Sequence, residues 1–427
     1  MTKLVHDTAL DRAAHLQALR DVREQSEDLC APLEREDMVV QTMPDVSPTK
    51  WHLAHTTWFF ETLVLQRSGR DYRVFDERYA ALFNSYYQSL GSPYPRPERG
   101  LLSRPTFDEI GAYRRYVDEA LHELLEEGSS DQVDRVLPTL TLGMNHEQQH
   151  QELMLMDVKH VLASNPLRPA YRSGRKVRSQ GPAPMQWIDF EGGEVEVGAE
   201  PGSFHYDNEG PRHSVHLRPY QLASRPVTAG EYLEFMADGG YARAELWLAD
   251  GWDLVQREGW QAPLYWERGA AGWQVMTLDG LRAVDPGEPV CHVSYHEADA
   301  FATWAGHRLP SELEWEHAAS GSPIEGNLLE SGTLHPRAAS SLSGEGGPAQ
   351  LIGDVWEWTS SSYTPYPGYQ PFAGELGEYN GKFMVSQLVL RGGCCATPVT
   401  HMRTSYRNFY YPHQRWMFSG LRLASDA

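Results

Sequence analysis

Residues 144–160, MNHEQQHQELMLMDVKH, set His146 and His150 four positions apart. On a helix this spacing puts both imidazoles on one face, one turn apart, where they can grip a single cation. A solvated helix face carries the same spacing, so the pair needs a further donor before it means a metal. The segment WHLAHTTW offers two, His52 and His55, and either could face a core. Trp51, His55, Trp58 and Phe59 form an aromatic line that puts His55 among side chains expected to be buried. A buried histidine must find a partner for its ring nitrogens, whether a carbonyl or an ion. Three neutral imidazoles leave coordination positions open on iron or zinc, which a catalytic site requires, and spacing alone does not choose the metal. Glu152 is turned about 200° from His150 around the helix and is expected to serve structure rather than the ion.

These histidines need helices to hold them, and residues 1–164 read as an up-and-down four-helix bundle. Leu16, Leu19, Val22, Ser26, Leu29 and Leu33 recur at three- and four-residue steps along one face. A second helix is expected to open at Ser47-Pro48, an N-cap followed by a proline, and to carry WHLAHTTWFFETLVLQ. The capping box Thr106/Glu109 starts a third, with Ile110, Tyr113, Val117, Leu121 and Leu124 inward and Gly128 as its stop. The fourth is expected from roughly Leu140 to Leu162. Residues 165–184, NPLRPAYRSGRKVRSQGPAP, are rich in Pro, Gly, Ser and basic groups and read as a linker.

Residues 185–427 have a different habit. Eleven of the thirteen tryptophans lie there, among glycines and short apolar runs. Capping boxes at Thr228/Glu231, Ser294/Glu297 and Ser311/Glu314 mark three helices, so this half is expected to be α+β with much irregular structure. A net charge of -21, from 37 Lys+Arg against 58 Asp+Glu, repels phosphate backbones and anionic lipid, which argues against nucleic acid and membrane as partners. The first twenty residues lack the apolar core of a signal peptide, and no window approaches the roughly 20 apolar residues of a membrane span. Four cysteines are too few for a disulfide framework in so long a chain. A cytoplasmic protein is expected.

The stretches MPDVSPTKWHLAHTTWFFETLVL, FNSYYQSLGSPYPRPERGLLSRP and NHEQQHQELMLMDVKH resemble the DinB-like N-terminal domain of ergothioneine sulfoxide synthases. The second half is similar to the formylglycine-generating-enzyme/sulfatase-modifying fold, a C-type-lectin-like α+β domain, through DNEGPRHSV, RLPSELEWEHAA, GDVWEWT and VLRGGCCATP. The two resemblances together span nearly the whole chain. They imply iron(II)- and O2-dependent joining of a thiol sulfur to hercynine, the trimethylbetaine of histidine, with His55, His146 and His150 as iron ligands and His52 structural. They further imply Gln149 and Asn408 as holders of the hercynine carboxylate, since an amide donates to it without adding charge. Phe409 and Tyr410 would then wall the site or shelter the trimethylammonium.

The pair Tyr86-Tyr87 resembles the branch of the family that keeps its catalytic tyrosine in the N-terminal domain, where a phenol can give a proton or an electron to the reaction. Arg96 and Arg99 are candidates to clamp the carboxylate of the thiol donor, cysteine or γ-glutamylcysteine. Cys394 stands where the family usually has serine, which puts any contact of that hydroxyl in doubt. The formylglycine-generating enzymes' copper-binding cysteine pair is not matched, because Cys394 and Cys395 are adjacent. Rival expectations are an ovothiol-type reaction on histidine or a selenium donor giving selenoneine, a zinc-dependent DinB-like thiol transferase or hydrolase, and a non-catalytic binding module.

Overall fold

A computed structural model describes residues 8–172, 181, 183–339 and 347–427. The chain divides into two compact units, Met1–Tyr171 and Arg172–Ala427. The division falls within the segment 165–184, of which residues 173–180 and 182 lie outside the described residues.

The first unit is built on four long helices and one short one: α1 (Thr8–Asp28), α2 (Thr49–Leu63), α3 (Tyr79–Phe83), α4 (Phe107–Glu127) and α5 (Ser130–Ser164). Helix α4 matches its sequence signals closely: Thr106 and Glu109 form the reciprocal cap, Gly128 ends the helix, and Ile110, Tyr113, Val117, Leu121 and Leu124 are all buried. Three other boundaries differ. Helix α1 stops at Asp28, short of Leu29 and Leu33. Helix α2 begins at Thr49 with Pro48 at its N-cap, so Ser47 does not cap it. Ser47 is committed elsewhere, its N–H donating to Asp157 at 2.8 Å and its hydroxyl accepting from Arg99 at 2.9 Å. Helix α5 starts ten residues before Leu140, from a capping box of Ser129 and Gln132, and keeps Pro138 inside it. Proline costs a helix interior about 3 kcal/mol, and burial of Val133 and Val136 returns roughly 1.5 kcal/mol or more apiece.

Helix α2 packs against α4 and α5, and α1 packs against both of these as well. The approach of α5 to α2 depends on Gly143. A Cβ there would lie 2.6 Å from Phe60 Cε1 and 3.0 Å from Phe59 Cε1, both rings fully buried. Between the helices, Glu147 accepts from Arg23 at 2.8 Å, Arg114 at 2.6 Å and Ser26 at 2.7 Å, all buried. Burial pushes the Glu147 carboxyl up, but Arg114 and Arg23 outweigh it and hold the group down at about 2.

The second unit runs β1 (Trp187–Phe190), β2 (Gly193–Val197), β3 (His213–Leu217), β4 (Tyr220–Ala223), α6 (Ala229–Ala237), α7 (Ala249–Glu258), β5 (Trp266–Gly269), β6 (Gly272–Thr277), β7 (Gly280–Ala283), α8 (Tyr295–Trp304), α9 (Glu312–Ala318), β8 (Trp356–Ser362), β9 (Leu388–Arg391), β10 (Asn408–Tyr410), β11 (Ser419–Leu421) and β12 (Ala424–Asp426). The three sequence-marked capping boxes open α6, α8 and α9. Helix α7 has no side-chain cap, which is why its start carries no signal. The sheets are ordered β1-β4-β12, β10-β9-β8-β11, β2-β3 and β5-β6-β7, and among the described strands only β8 with β11 is parallel. Strand β8 is buried on both faces: Trp356 and Trp358 on one, and on the other Glu357, which pairs with buried Arg422 at 2.7 Å and accepts from Trp315 Nε1 at 2.9 Å. No described helix is long and apolar enough to cross a membrane.

Candidate metal centre

His55 of α2 and His146 and His150 of α5 are buried, and each offers a ring nitrogen within 4.8 Å of the other two. Among the described residues this is the one group of three or more His, Cys, Asp or Glu side chains able to hold an ion. Nε2 of His55 and Nε2 of His146 are 3.2 Å apart. Neighbouring donors on one ion sit about 3.0–3.4 Å apart when metal–nitrogen bonds are about 2.1 Å, so this pair already has the separation coordination needs. Nδ1 of His55 donates to the carbonyl of Phe83, the last residue of α3, at 2.6 Å. A carbonyl only accepts, so that contact puts the proton on Nδ1 and leaves the Nε2 lone pair for a metal.

Burial disfavours the charged form of all three rings. It pulls His146 down to about 3, and with the neighbouring imidazoles it holds His55 and His150 well below the ordinary imidazole value. They are therefore neutral at pH 7, the form that ligates. His52 uses both ring nitrogens, with Nδ1 2.8 Å from His150 Nδ1 and Nε2 3.0 Å from Asp157 Oδ2, and lies outside the three-histidine group. Glu152 is buried on α5 and outside the group. The donor set, three neutral nitrogens, suits a first-row divalent ion such as iron(II) or zinc, whose coordination it would leave incomplete.

Aromatic rings fix His55. It stacks on Trp51 at 4.7 Å and on Trp58 at 5.7 Å, with interplanar angles of 10° and 17°. Tyr87 is buried with its ring 5.8 Å from Trp58, and half-buried Tyr86 stacks on Tyr87 at 4.7 Å. Asn84 holds Tyr87 by its backbone, accepting from its N–H at 3.0 Å and donating to its carbonyl at 2.9 Å.

The two arginines part company. Arg99 is 3% exposed, donates to Ser47 Oγ at 2.9 Å and Ser85 Oγ at 3.1 Å, and has no hydrogen-bond partner for Nε. No described carboxylate forms an ion pair with it, and burial, reinforced by the cation of Arg96, pulls its guanidinium well below the usual arginine range. Arg96 is exposed and donates to the Asp45 carbonyl. Gln149 is half-buried on α5, one residue before His150.

Asn408, Phe409 and Tyr410 of the second unit form β10, paired to β9, and are half-buried. Arg407, immediately before them, is pinned to Glu312 by bonds of 2.8 and 2.9 Å. Phe409 stacks on Tyr363 at 4.0 Å, and Tyr410 meets Trp416 edge-on at 5.5 Å. Cys394 accepts from the Ala396 N–H at 3.4 Å and the Thr397 hydroxyl at 3.5 Å, so its sulfur closes a local turn.

Residues 18–160 match the DinB superfamily, and residues 176–345 and 332–427 match the sulfatase-modifying factor enzyme 1-like domain. The hercynine oxygenase of Mycobacterium tuberculosis is 33% identical over 91% of this chain and 93% of its own length. The chain belongs to the hercynine oxygenase family. A second member, from Mycolicibacterium thermoresistibile, is 32% identical over 90% of this chain and 88% of its own. The formylglycine-generating enzyme of Mycobacterium tuberculosis is 29% identical over 43% of this chain and 76% of its length, so that likeness leaves more than half of this family member unmatched.

Sequence reasoning missed several residues at the metal centre. Asp157 lies seven positions after His150, two helical turns on the same face, a signal present in the motif itself. The Phe83 carbonyl and Ser47 carry no such signal, because one ends the short helix α3 and the other precedes α2, and neither shares a helix face with His146 and His150.

Proposed function

We propose that this chain is an iron(II)- and O2-dependent sulfoxide synthase, joining the sulfur of cysteine or γ-glutamylcysteine to the imidazole carbon of hercynine, with His55, His146 and His150 as the iron ligands. The observation that carries the proposal is the meeting of three neutral imidazoles beside a buried guanidinium that lacks a carboxylate. Iron bound there would activate O2 and hold the donor sulfur as thiolate.

The chain's own groups bind, orient and supply protons. Arg99 receives the carboxylate of the thiol donor, supplying the counter-ion its burial lacks, and exposed Arg96 adds long-range attraction. Gln149 donates an amide N–H to the hercynine carboxylate. In the second unit, Asn408 has the same amide chemistry, and Phe409 and Tyr410 offer aromatic faces suited to a trimethylammonium. Tyr86 and Tyr87 supply a phenolic proton in the step that separates C–S bond formation from simple oxidation of the thiol. The four cysteines are buried and form no disulfide among the described residues, which suits a reducing cytoplasm.

The test is anaerobic reconstitution with iron(II), then oxygen uptake with hercynine and either cysteine or γ-glutamylcysteine. Uptake with formation of the hercynyl sulfoxide is expected. Turnover only with histidine, or only with a selenium donor, would redirect the proposal to the ovothiol-type or selenoneine reaction. No uptake with any pairing, or activity retained with zinc and without O2, would overturn it.

A further inference from the structure

We infer that His52 and Asp157 are positioning residues that set the tautomer and donor strength of His150, so that the ion is held by a carboxylate–imidazole–imidazole relay as well as by its three ligands. The inference rests on the metal reading above and on three contacts. Asp157 Oδ2 accepts from the Ser47 N–H at 2.8 Å and lies 3.0 Å from His52 Nε2. His52 Nδ1 lies 2.8 Å from His150 Nδ1. All four residues are buried, so water does not compete for these bonds.

Proton placement then follows along the line. An ionised carboxylate only accepts, so His52 carries its proton on Nε2. A neutral His52 consequently has a lone pair on Nδ1, and across 2.8 Å two ring nitrogens can bond only if one carries a proton. His150 therefore holds its proton on Nδ1 and presents Nε2 as the ligand atom. The arrangement is directional: a full negative charge at Asp157 strengthens His52 as an acceptor, and His52 in turn makes His150 a stronger donor to the metal. Partners of this kind usually contribute about 10–100-fold in metal affinity. His55 is held differently, by the neutral carbonyl of Phe83, so the relay distinguishes one ligand from another.

Cobalt(II) titration of the metal-free full chain, read by affinity and by visible d–d absorption, tests this without turnover. His52→Leu removes the acceptor while keeping bulk, and is expected to weaken cobalt binding about 10–100-fold and shift the d–d bands. His52→Asn puts an amide oxygen near the Nδ1 position and should recover most of that loss. Asp157→Asn keeps an oxygen but not the charge, and should weaken binding with unchanged stoichiometry. Wild-type affinity and spectrum in His52→Leu and Asp157→Asn would overturn the relay. So would equal losses in His52→Leu and His52→Asn, which would mark a packing role. Normal cobalt binding by the wild type, without oxygen uptake on iron loading, would remove the proposed reaction and leave the relay standing.

Discussion

The guanidinium carbon of Arg99 lies 3.3 Å from the centre of the Trp51 ring, and Trp51 stacks on His55 at 4.7 Å. One indole thus separates a cation without a carboxylate from a proposed metal ligand. Replacing Arg99 by Met should raise KM for the thiol donor about 10–100-fold with a smaller change in kcat, since a charge-assisted bond contributes roughly 1.5–3 kcal/mol. Removing an uncompensated buried charge should leave the melting temperature unchanged or higher. Steady-state kinetics on each substrate and a thermal melt check both parts. A Lys at 99 should not rescue, because it can neither stack nor fork.

His146→Ala should abolish stoichiometric metal binding and lower kcat at least about a thousandfold while α5 persists, alanine being the best helix former. Metal analysis and far-UV circular dichroism check it. Full turnover by this variant would show that His146 does not hold a catalytic ion.

The buried imidazoles also fix a pH response. His146 in the metal-free fold is held at about 3, whereas unfolded histidine titrates near 6.5. Below about 6.5 the unfolded chain gains protons that the folded chain refuses, so stability falls as pH drops from about 6.5 towards 3. Protons do not compete with metal at His146 until the lower end of that window. Acid should release the ion in step with unfolding, and not at the pH where an exposed histidine titrates. Parallel metal-release and circular-dichroism titrations check this.

Gly143→Ala sets two effects against each other. Helix propensity favours alanine by about 1 kcal/mol, and overpacking against Phe59 and Phe60 costs roughly 1–3 kcal/mol. With both rings buried, overpacking should win, lowering the melting temperature and weakening metal binding as α2 is pushed from α5.

Glu147→Ala would remove the buried carboxylate that Arg23 and Arg114 share, leaving them only the more exposed Asp118 and Glu27, and breaking a buried pair costs about 3–5 kcal/mol. Chemical denaturation of the metal-free chain should report that loss, with a melting temperature lowered well beyond that of His146→Ala.

Local signals in the sequence carried the helices and missed the loops. The reciprocal caps at Thr106, Thr228, Ser294 and Ser311 are contained within four residues each, so they are legible and open helices where expected. Ser47 has the chemistry of a cap too, but Arg99 and Asp157 claim it from 52 and 110 residues away. The fourth helix is expected only from Leu140, and α5 extends back through Pro138 with Val133 and Val136 buried ahead of it. At the metal centre, the helical spacing of His146 and His150 was readable, and the aromatic neighbours of His55 favoured it over His52. The difference between Arg96 and Arg99 was not readable, because it depends on which one a 3₁₀ turn directs inward. The strand order of the second unit joins residues too distant in sequence for any periodicity to reveal.

The parallel pairing of β8 with β11 has a consequence for biosynthesis. Trp356 acquires its neighbour Ser419, and Glu357 its partner Arg422, only after Leu421 and Arg422 have been translated. The three histidines of the candidate metal centre have all been made by residue 150. At about 5–20 residues per second the 271 residues between His150 and Leu421 take roughly 15–50 s. During that interval a nascent polypeptide can assemble its imidazole pocket on the ribosome while its tryptophan-rich half still awaits closure.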